Sequence, residues 1–386
     1  MSSPKQDPLL LTPGPLTTSM ATKEVMLHDW GSRDADFIAT NQRMRDELVK
    51  IPNVADTHVC VPLQGSGTFV VEAAIGTLLP RDGKALVLIN GAYGKRMVTI
   101  ISYMDRACVT LETAEDTPPS ITDLDALLSA DKDITHVFAV HCETTAGILN
   151  PIKEIADTVK KHDRRLVIDA MSAFGAIPLD GKDVYFDAVM ASSNKCLEGI
   201  PGMGFAIIRK SALEQCKGNA HALTLDLYDQ WVTMEANKQW RFTPPTHVIV
   251  SFDKAMEQFR EEGGVAARNK RYSNNCRILT EGMRALGFET LLPDALQAPI
   301  IVTFKMAADP KFVFEDFYDA LKNKGYVIYP GKLTVAPSFR IGCIGNLGET
   351  QMRAALATIR ETLAEMGVSS GSPDATSEET NLQAAV

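Results

Sequence analysis

Short apolar runs alternate with amphipathic, helix-like stretches from about Gly65 to Arg209. Buried strands separated by helices of this kind form a mostly parallel sheet with helices on both faces. The pattern therefore predicts an α/β fold whose large domain is built on such a sheet. The predicted strands are 85–89, 107–111, 136–140, 166–169, 187–190 and 204–208. One predicted helix begins after Gly65, and two further helices cover 93–103 and 152–161.

The pattern changes after Thr243-Pro244-Pro245, where a polar, helix-rich stretch is followed by short strands and a further helix. This change indicates a smaller α+β domain. The opening segment is too rich in proline and glycine for a helix, and the last residues lack apolar side chains that could anchor them. We therefore predict an N-terminal arm (1–20), a large domain (21–245), a small domain (246–366) and a disordered tail (367–386).

Composition narrows the classes of protein that fit. The 386 residues are 45% hydrophobic, which suffices for the cores of two domains. A net charge of -9 argues against a nucleic-acid surface, and no run of some 18 apolar residues predicts a membrane span. The seven cysteines are scattered singly, so neither a disulfide framework nor a metal cluster is indicated. These features predict a cytoplasmic protein with no nucleic-acid or membrane partner.

Two residues at the ends of apolar runs suggest catalytic chemistry. Lys195 lies in a small-residue turn directly after a predicted strand, and Asp169 ends the run 166–169. Open α/β sheets place ligand groups at such strand ends. A lysine that forms a Schiff base and a carboxylate that pairs with a pyridinium nitrogen together predict pyridoxal phosphate as the cofactor. Each residue alone has an ordinary alternative, a solvated lysine and a carboxylate that caps a turn.

Further residues could complete such a site. Ser66, Gly67 and Thr68 lead into a helix, and a helix N-terminus favours an anion such as a phosphate, although a serine that merely caps the helix explains the same pattern. Tyr93 follows another strand and could stack on a pyridine ring or belong to the core. The hydroxyls of Thr144 and Thr145 could reach a ring oxygen of the cofactor.

The order of several motifs resembles that of the class V aminotransferases, which are pyridoxal-phosphate enzymes of fold type I. The resemblance runs from about residue 9 to 366 and implies a seven-stranded, mostly parallel sheet in the large domain and a smaller α+β C-terminal domain. The motifs that carry it are 11–18, 28–34, 142–151, 169–175, 193–196 and 339–342.

The resemblance also implies roles for individual residues. Lys195 would hold the cofactor, Asp169 would pair with its ring nitrogen and Tyr93 would stack on the ring. The enzyme would be a homodimer with shared active sites. Ser66, Gly67, Thr68 and Asn194 would bind the phosphate, Thr243 would reach the phosphate of the neighbouring subunit, Thr144 or Thr145 would contact the ring oxygen, Arg340 would bind the substrate carboxylate, and Arg33 is a second candidate for an anionic substrate group.

The expected activity is transamination between a small anionic amine and an oxo acid. One alternative is an aminotransferase of the same class that uses alanine or serine with glyoxylate, because both kinds of donor are small and anionic. A pyridoxal-phosphate lyase or desulfurase is a second alternative, and a desulfurase requires a reactive cysteine on a mobile loop. A non-catalytic, anion-binding dimer is a third, but such a protein would have no need of both Lys195 and Asp169.

Overall fold

The computed structural model describes residues 7–331 and 336–374. The strands are β1 (Leu9–Leu10), β2 (His58–Gly65), β3 (Lys84–Ile89), β4 (Ala107–Glu112), β5 (Ile134–Val140), β6 (Cys142–Glu143), β7 (Ile148–Leu149), β8 (Arg165–Asp169), β9 (Ala188–Ser192), β10 (Gly202–Arg209), β11 (Ile301–Lys305), β12 (Tyr326–Val327), β13 (Tyr329–Pro330) and β14 (Ser338–Gly342). The helices are α1 (Met20–Glu24), α2 (Ala35–Leu48), α3 (Gly67–Leu78), α4 (Ala92–Tyr103), α5 (Ile121–Ala130), α6 (Ile152–Lys161), α7 (Lys210–Leu213), α8 (Leu227–Asn237), α9 (Thr246–Glu262), α10 (Gly264–Ala285), α11 (Phe314–Asn323) and α12 (Glu349–Met366), with a short 3-10 helix at Val25–Leu27.

A seven-stranded sheet forms the larger part of the fold, with the strand order β2-β10-β9-β8-β5-β3-β4. Strand β10 is antiparallel to both of its neighbours, and the other neighbouring pairs are parallel. The six strands other than β10 therefore run in one direction. This arrangement confirms the mostly parallel sheet that the alternation of strands and helices predicts.

The core of this sheet is continuous because its central strands are almost entirely buried. Every residue of β9 is buried, as are four of the five residues of β8. Helix α3 contributes Val70, Ala74 and Ile75 to the same core. Burial of a valine, isoleucine or leucine side chain contributes about 1.5–3 kcal/mol, so the strand ends that carry the candidate residues are held by a well-packed framework.

The chain divides into two compact units. The first comprises residues 18–143 and 149–269 and contains the seven-stranded sheet. The second comprises, of the described residues, 7–17, 144–148, 270–331 and 336–374. In the second unit, β14 lies between β11 and β13 and is antiparallel to both. Strand β1 pairs in parallel with β12 in the same unit. None of the helices among the described residues is long and apolar enough to cross a membrane.

Three features differ from the sequence patterns. Strand β2 was not anticipated; its Pro62 is tolerated because β2 lies at the edge of the sheet. Helix α9, which the pattern assigns to the small domain, belongs to the compact unit of the large sheet. Residues 367–374 are ordered, since the Ser369 amide donates to Asp309 Oδ2 at 2.8 Å and the Gly371 amide to the Leu286 carbonyl at 2.9 Å. The rest of the predicted tail, and residues 1–6 of the arm, lie outside the described residues.

Candidate active site

Five parallel strands of the large sheet end at one edge, and a polar or aromatic residue stands at or just after each end. Ser66 follows β2, Tyr93 follows β3, His141 follows β5, Asp169 is the last residue of β8 and Lys195 follows β9. Ligands of open α/β sheets bind at this carboxyl edge. The topology therefore brings to one edge residues that are far apart in the sequence.

Asp169 is a buried carboxylate, only 4% exposed. Its Oδ1 accepts a hydrogen bond from the Met171 amide at 2.9 Å. Burial raises the pKa of Asp169 to about 6; the Met171 hydrogen bond opposes this rise, the neighbouring Glu143 adds to it, and the charges of Arg96 and Lys195 lower the pKa. A further cation beside Asp169 would stabilise its ionised form.

Glu143 lies next to the Asp169 carboxylate and is fully buried. It fixes the first turn of α4, which carries Tyr93. Its Oε2 accepts a hydrogen bond from the Tyr93 amide at 3.1 Å, in the first turn of α4. Gly91, at the N-cap of α4, has no side chain that could accept hydrogen bonds from the first amides of the helix. A Cβ at Gly91 would collide with the Glu143 carboxyl group. Glu143 therefore takes the place of a capping side chain and orients Tyr93.

The first turn of α3 carries the predicted phosphate-binding residues. Ser66 is the N-cap, but its side chain makes no capping hydrogen bond, so the alternative that it merely caps the helix is not supported. A Cβ at Gly67 would lie 2.5 Å from Met171 Sδ, so a larger residue at this position would displace the Met171 side chain. Thr68 Oγ1 accepts a hydrogen bond from Arg96 Nη1 at 3.2 Å.

The loop that carries Lys195 is tied down on both sides of the lysine. Before it, Ser193 Oγ donates to the Met203 carbonyl at 3.0 Å. After it, Cys196 Sγ donates to the Ser172 carbonyl at 3.1 Å. Lys195 itself is half-buried and acts electrostatically on Asp169. The two residues that first suggested a cofactor therefore lie near each other.

Arg268, on α10, supports the same loop and is only 1% exposed. Its guanidinium donates to the Cys196 carbonyl and, at 2.7 Å, to Glu262 Oε2. Its Nη1 lies 3.5 Å from Glu198 Oε1, and its Cζ lies 5.1 Å from the centroid of the Phe259 ring. Glu198 has a φ of 57°, which a residue with a side chain rarely adopts. A buried arginine therefore holds the strained turn that follows the candidate lysine.

Thr243 is exposed and lines a groove of about 520 Å³ beside Gly65, where β2 ends. Phe69 and Phe242 line the same groove and remain 51% and 46% exposed. Exposed aromatic side chains around a groove are typical of an interaction surface.

Asn194 and Arg33 are the remaining predicted site residues in the compact unit that contains the seven-stranded sheet. Asn194 is half-buried on the lysine loop. Arg33 is exposed and forms no ion pair with the described residues. Its role in substrate binding stays a prediction.

Arg340, Thr144 and Thr145 lie in the second compact unit and are all buried. Arg340 Nη1 donates to the Thr144 carbonyl at 2.6 Å, and Arg340 Nε donates to the Pro330 carbonyl at 3.0 Å. The guanidinium also lies 5.0 Å from the centroid of the Tyr329 ring. Arg340 therefore orients the main chain of Thr144, whereas the choice between the two threonines at the ring oxygen stays a prediction.

Two buried polar atoms at the carboxyl edge have no hydrogen-bond partner among the described residues: His141 Nδ1 and Ser192 Oγ. Burial lowers the pKa of His141 to about 4, so its ring is neutral near pH 7. Buried polar groups normally have a partner. A polar ligand at this edge would suit both atoms.

The sequence patterns missed Glu143, Arg96 and Arg268. Glu143 directly precedes Thr144, and Arg96 stands three residues after Tyr93, so their neighbourhood was a usable signal. Arg268 lies in a long polar helix with other arginines, and nothing in its local pattern distinguishes it from them.

Comparison with known proteins identifies the class. The model of the family described as Aminotransferase class-V matches residues 24–362. The chain belongs to this family. It is 56% identical over 361 residues to the 2-aminoethylphosphonate--pyruvate transaminase of Pseudomonas fluorescens (strain Pf0-1), and the match covers 94% of this chain and 98% of the relative. It is 55% identical over 361 residues to 2-aminoethylphosphonate--pyruvate transaminase 2 of Burkholderia lata, and this match covers 94% of this chain and 96% of the relative.

Solved structures agree on the fold. Pyridoxamine-pyruvate aminotransferase from Mesorhizobium loti superposes with a TM-score of 0.85 at 23% identity and covers 96% of this chain and 97% of its own. Ureidoglycine-glyoxylate aminotransferase from Bacillus subtilis gives a TM-score of 0.86 at 20% identity, with 95% of each chain covered. These likenesses confirm the fold type I architecture that the motifs predict.

Proposed function

We propose that this chain transfers the amino group of 2-aminoethylphosphonate to pyruvate, which yields phosphonoacetaldehyde and L-alanine. The observation that carries this proposal is the 54–56% identity, over 94% of the chain, to relatives named for that reaction. The placement of the site residues at the carboxyl edge of the sheet supports the same chemistry.

The residues at this edge fit pyridoxal phosphate. The buried carboxylate of Asp169, whose pKa is raised to about 6, suits a protonated ring nitrogen. Ser66 Oγ is not used in capping, and the first amides of α3 suit a phosphate. His141 Nδ1 and Ser192 Oγ, which have no partner among the described residues, suit polar groups of a ligand.

Each residue has a role in the transfer. Pyridoxal phosphate, when bound, supplies an aldehyde that accepts the amino group and a ring that withdraws electrons from the neighbouring carbon. Lys195 would attach the cofactor and, when the donor amine replaces it, its Nζ would take a proton from the amine-bearing carbon of the donor. Asp169 would keep the ring nitrogen protonated, and Tyr93 would cover the ring.

The arginines would select the anionic substrates. Arg340 would bind the carboxylate of pyruvate, because its planar fork matches a carboxylate. Arg33 is exposed and has no ion pair among the described residues, which suits a role at the phosphonate. Arg340 could also bind the phosphonate, so the assignment of each arginine to one substrate group is a prediction.

The desulfurase alternative is disfavoured by the cysteines. All seven lie in the described part of the chain, and none of them is exposed. Burial raises the pKa of Cys60 to about 12 and that of Cys108 to about 11. A thiol that must attack a substrate from a mobile loop needs the opposite environment.

A homodimer is the assembly that we propose. The exposed Phe69 and Phe242 line the groove that contains Thr243 and Gly65. A second copy of the chain that covers these aromatic rings would bring its Thr243 towards the first turn of α3. A cytoplasmic location is proposed because none of the seven cysteines forms a disulfide in the described part of the chain, which suits a reducing compartment.

The test is a set of single half-reactions. Protein loaded with pyridoxal phosphate is mixed with 2-aminoethylphosphonate, alanine or serine separately, and loss of the visible absorbance of the cofactor is followed. We expect conversion by 2-aminoethylphosphonate and, because the second half-reaction is reversible, by alanine. Lys195→Ala is the control and should give no conversion with any donor.

Other outcomes would contradict the proposal in distinct ways. Conversion by serine but not by 2-aminoethylphosphonate would favour the glyoxylate-dependent alternative. Appreciable turnover by Lys195→Ala would remove the proton-transfer role of the lysine. Absence of conversion with all donors would favour the lyase or the non-catalytic protein.

A further inference from the structure

Arg96 contacts two elements of the candidate cofactor site at once. From the first half of α4, its Nη1 donates to Thr68 Oγ1 at 3.2 Å. Its Cζ lies 5.0 Å from the centroid of the Tyr93 ring, within the range of a cation–π contact. Arg96 therefore joins the first turn of α3, where a phosphate would bind, to the residue that would cover the cofactor ring.

The charge of Arg96 also reaches the pocket. Together with Lys195 it lowers the pKa of the buried Asp169. The side chain itself is exposed, so its guanidinium keeps its hydrogen-bonding capacity towards a ligand. Arginine has five N–H donors in a planar fork, and the contacts with Thr68 and the Tyr93 ring leave several of them for an anion.

The phosphate-binding set suggested by the sequence contains no cation. Ser66, Gly67, Thr68, Asn194 and Thr243 are all uncharged, whereas a phosphate monoester carries nearly two negative charges near pH 7. Backbone amides and hydroxyls can bind such a group, but a charge-assisted hydrogen bond is roughly twice as strong as a neutral one.

The neighbouring lysine does not meet this need. Lys95 Nζ forms an ion pair with Glu112 Oε1, at 3.0 Å, on strand β4. Arg96 forms no ion pair with any carboxylate of residues 7–331 or 336–374. Of these two adjacent cations, Arg96 is the one that faces Thr68.

We propose that Arg96 binds the phosphate group of the cofactor and, through Thr68 and Tyr93, fixes the two turns that hold it. This inference rests on the proposed use of pyridoxal phosphate. It predicts that the contribution of Arg96 to binding depends on the phosphate and not on the pyridine ring.

The experiment compares two ligands by equilibrium titration of the cofactor-free full chain. Pyridoxal phosphate and pyridoxal, which lacks the phosphate, are each titrated into the wild type, Arg96→Met, Arg96→Lys and the control Lys95→Met. For Arg96→Met we expect the Kd of pyridoxal phosphate to rise about tenfold or more, which equals ~1.4 kcal/mol, while that of pyridoxal changes less than about twofold. Arg96→Lys should be intermediate, and Lys95→Met should match the wild type.

Thermal unfolding of each cofactor-free variant checks that the variant is folded. If Arg96→Met does not fold, Arg96→Lys provides the comparison between pyridoxal phosphate and pyridoxal. Equal binding of pyridoxal phosphate by Arg96→Met and the wild type would overturn the inference. Equal losses for both ligands would also overturn it, because they would indicate support of the loop alone. A wild type that binds pyridoxal without pyridoxal phosphate, or neither ligand, would instead overturn the proposed function, and this inference with it.

Discussion

At the scale of single residues, the environment of a carboxylate decides how readily it ionises. Asp169 is buried beside a second buried carboxylate, Glu143, and its pKa is raised to about 6. Asp180 is a useful contrast, because the amide of Lys182 and the side chain of Asn53 donate to it and hold its pKa below the usual range. The same residue type is therefore costly to ionise at one position and favoured as an anion at the other.

This difference predicts opposite effects of pH on stability. The folded-state pKa of Asp169 is raised, so its contribution is fully present below about pH 4 and is lost as pH rises to about 6. Above pH 6, Asp169→Asn should stabilise the cofactor-free protein by up to ~3 kcal/mol, from about 1.4 kcal/mol for each pKa unit. Urea unfolding of both proteins at several pH values measures this gap, which should close near pH 4.

Asp180→Asn is the matched control for that series. Because the folded-state pKa of Asp180 is lowered, the stability from its charge is present above about pH 4 and is lost as the pH falls further. Asp180→Asn should therefore be less stable than the wild type at neutral pH. A pH-independent difference between Asp169→Asn and the wild type would show that burial does not perturb Asp169.

At the scale of elements, the lysine loop depends on a helix that is distant in sequence. Arg268 of α10 binds the Cys196 carbonyl and lies between the carboxylates of Glu198 and Glu262. Removal of one member of a buried ionic cluster leaves the other charges without compensation. The loop after β9 is therefore ordered by tertiary contacts as well as by its own turn.

Arg268→Met should lower the free energy of unfolding by about 3 kcal/mol and displace the loop of Lys195. Urea unfolding measures the first effect, and a shift of the visible absorbance band of the bound cofactor measures the second. Arg277→Met is the control, since Arg277 lies on the same helix but pairs with Glu281 on the surface. An unchanged absorbance band in a folded Arg268→Met protein would contradict the positioning role.

At the scale of the whole molecule, the exposed aromatic groove predicts the assembly. Phe242→Glu should dissociate the proposed homodimer, because a charge would be buried against the second copy. Sedimentation velocity measures the molecular mass, and turnover should fall as Thr243 is withdrawn. Val313→Glu is the control, since Val313 is similarly exposed, at 43%, on the other compact unit. A Phe242→Glu protein that remains dimeric would place the interface elsewhere.

The sequence predicted what local patterns encode. The alternation of apolar runs predicted the parallel strands, and α6 begins and ends at the predicted residues, because side-chain periodicity follows directly from strand and helix geometry. Strand β2 was missed since an edge strand with a proline has no such clear signal. The reversed direction of β10 also had no local signal, because strand direction is decided by pairing.

The sequence by itself determined the fold class, the family and the residue types at the ends of the strands. Only the tertiary structure decided which charges meet there: Glu143 beside Asp169, Arg96 beside Thr68, and Arg268 beneath the loop of Lys195. Local side-chain patterns determine secondary structure, whereas burial and pairing depend on contacts between segments that are distant along the chain. The pKa of Asp169 and the support of Lys195 are consequences of those contacts, and no reading of adjacent residues could supply them.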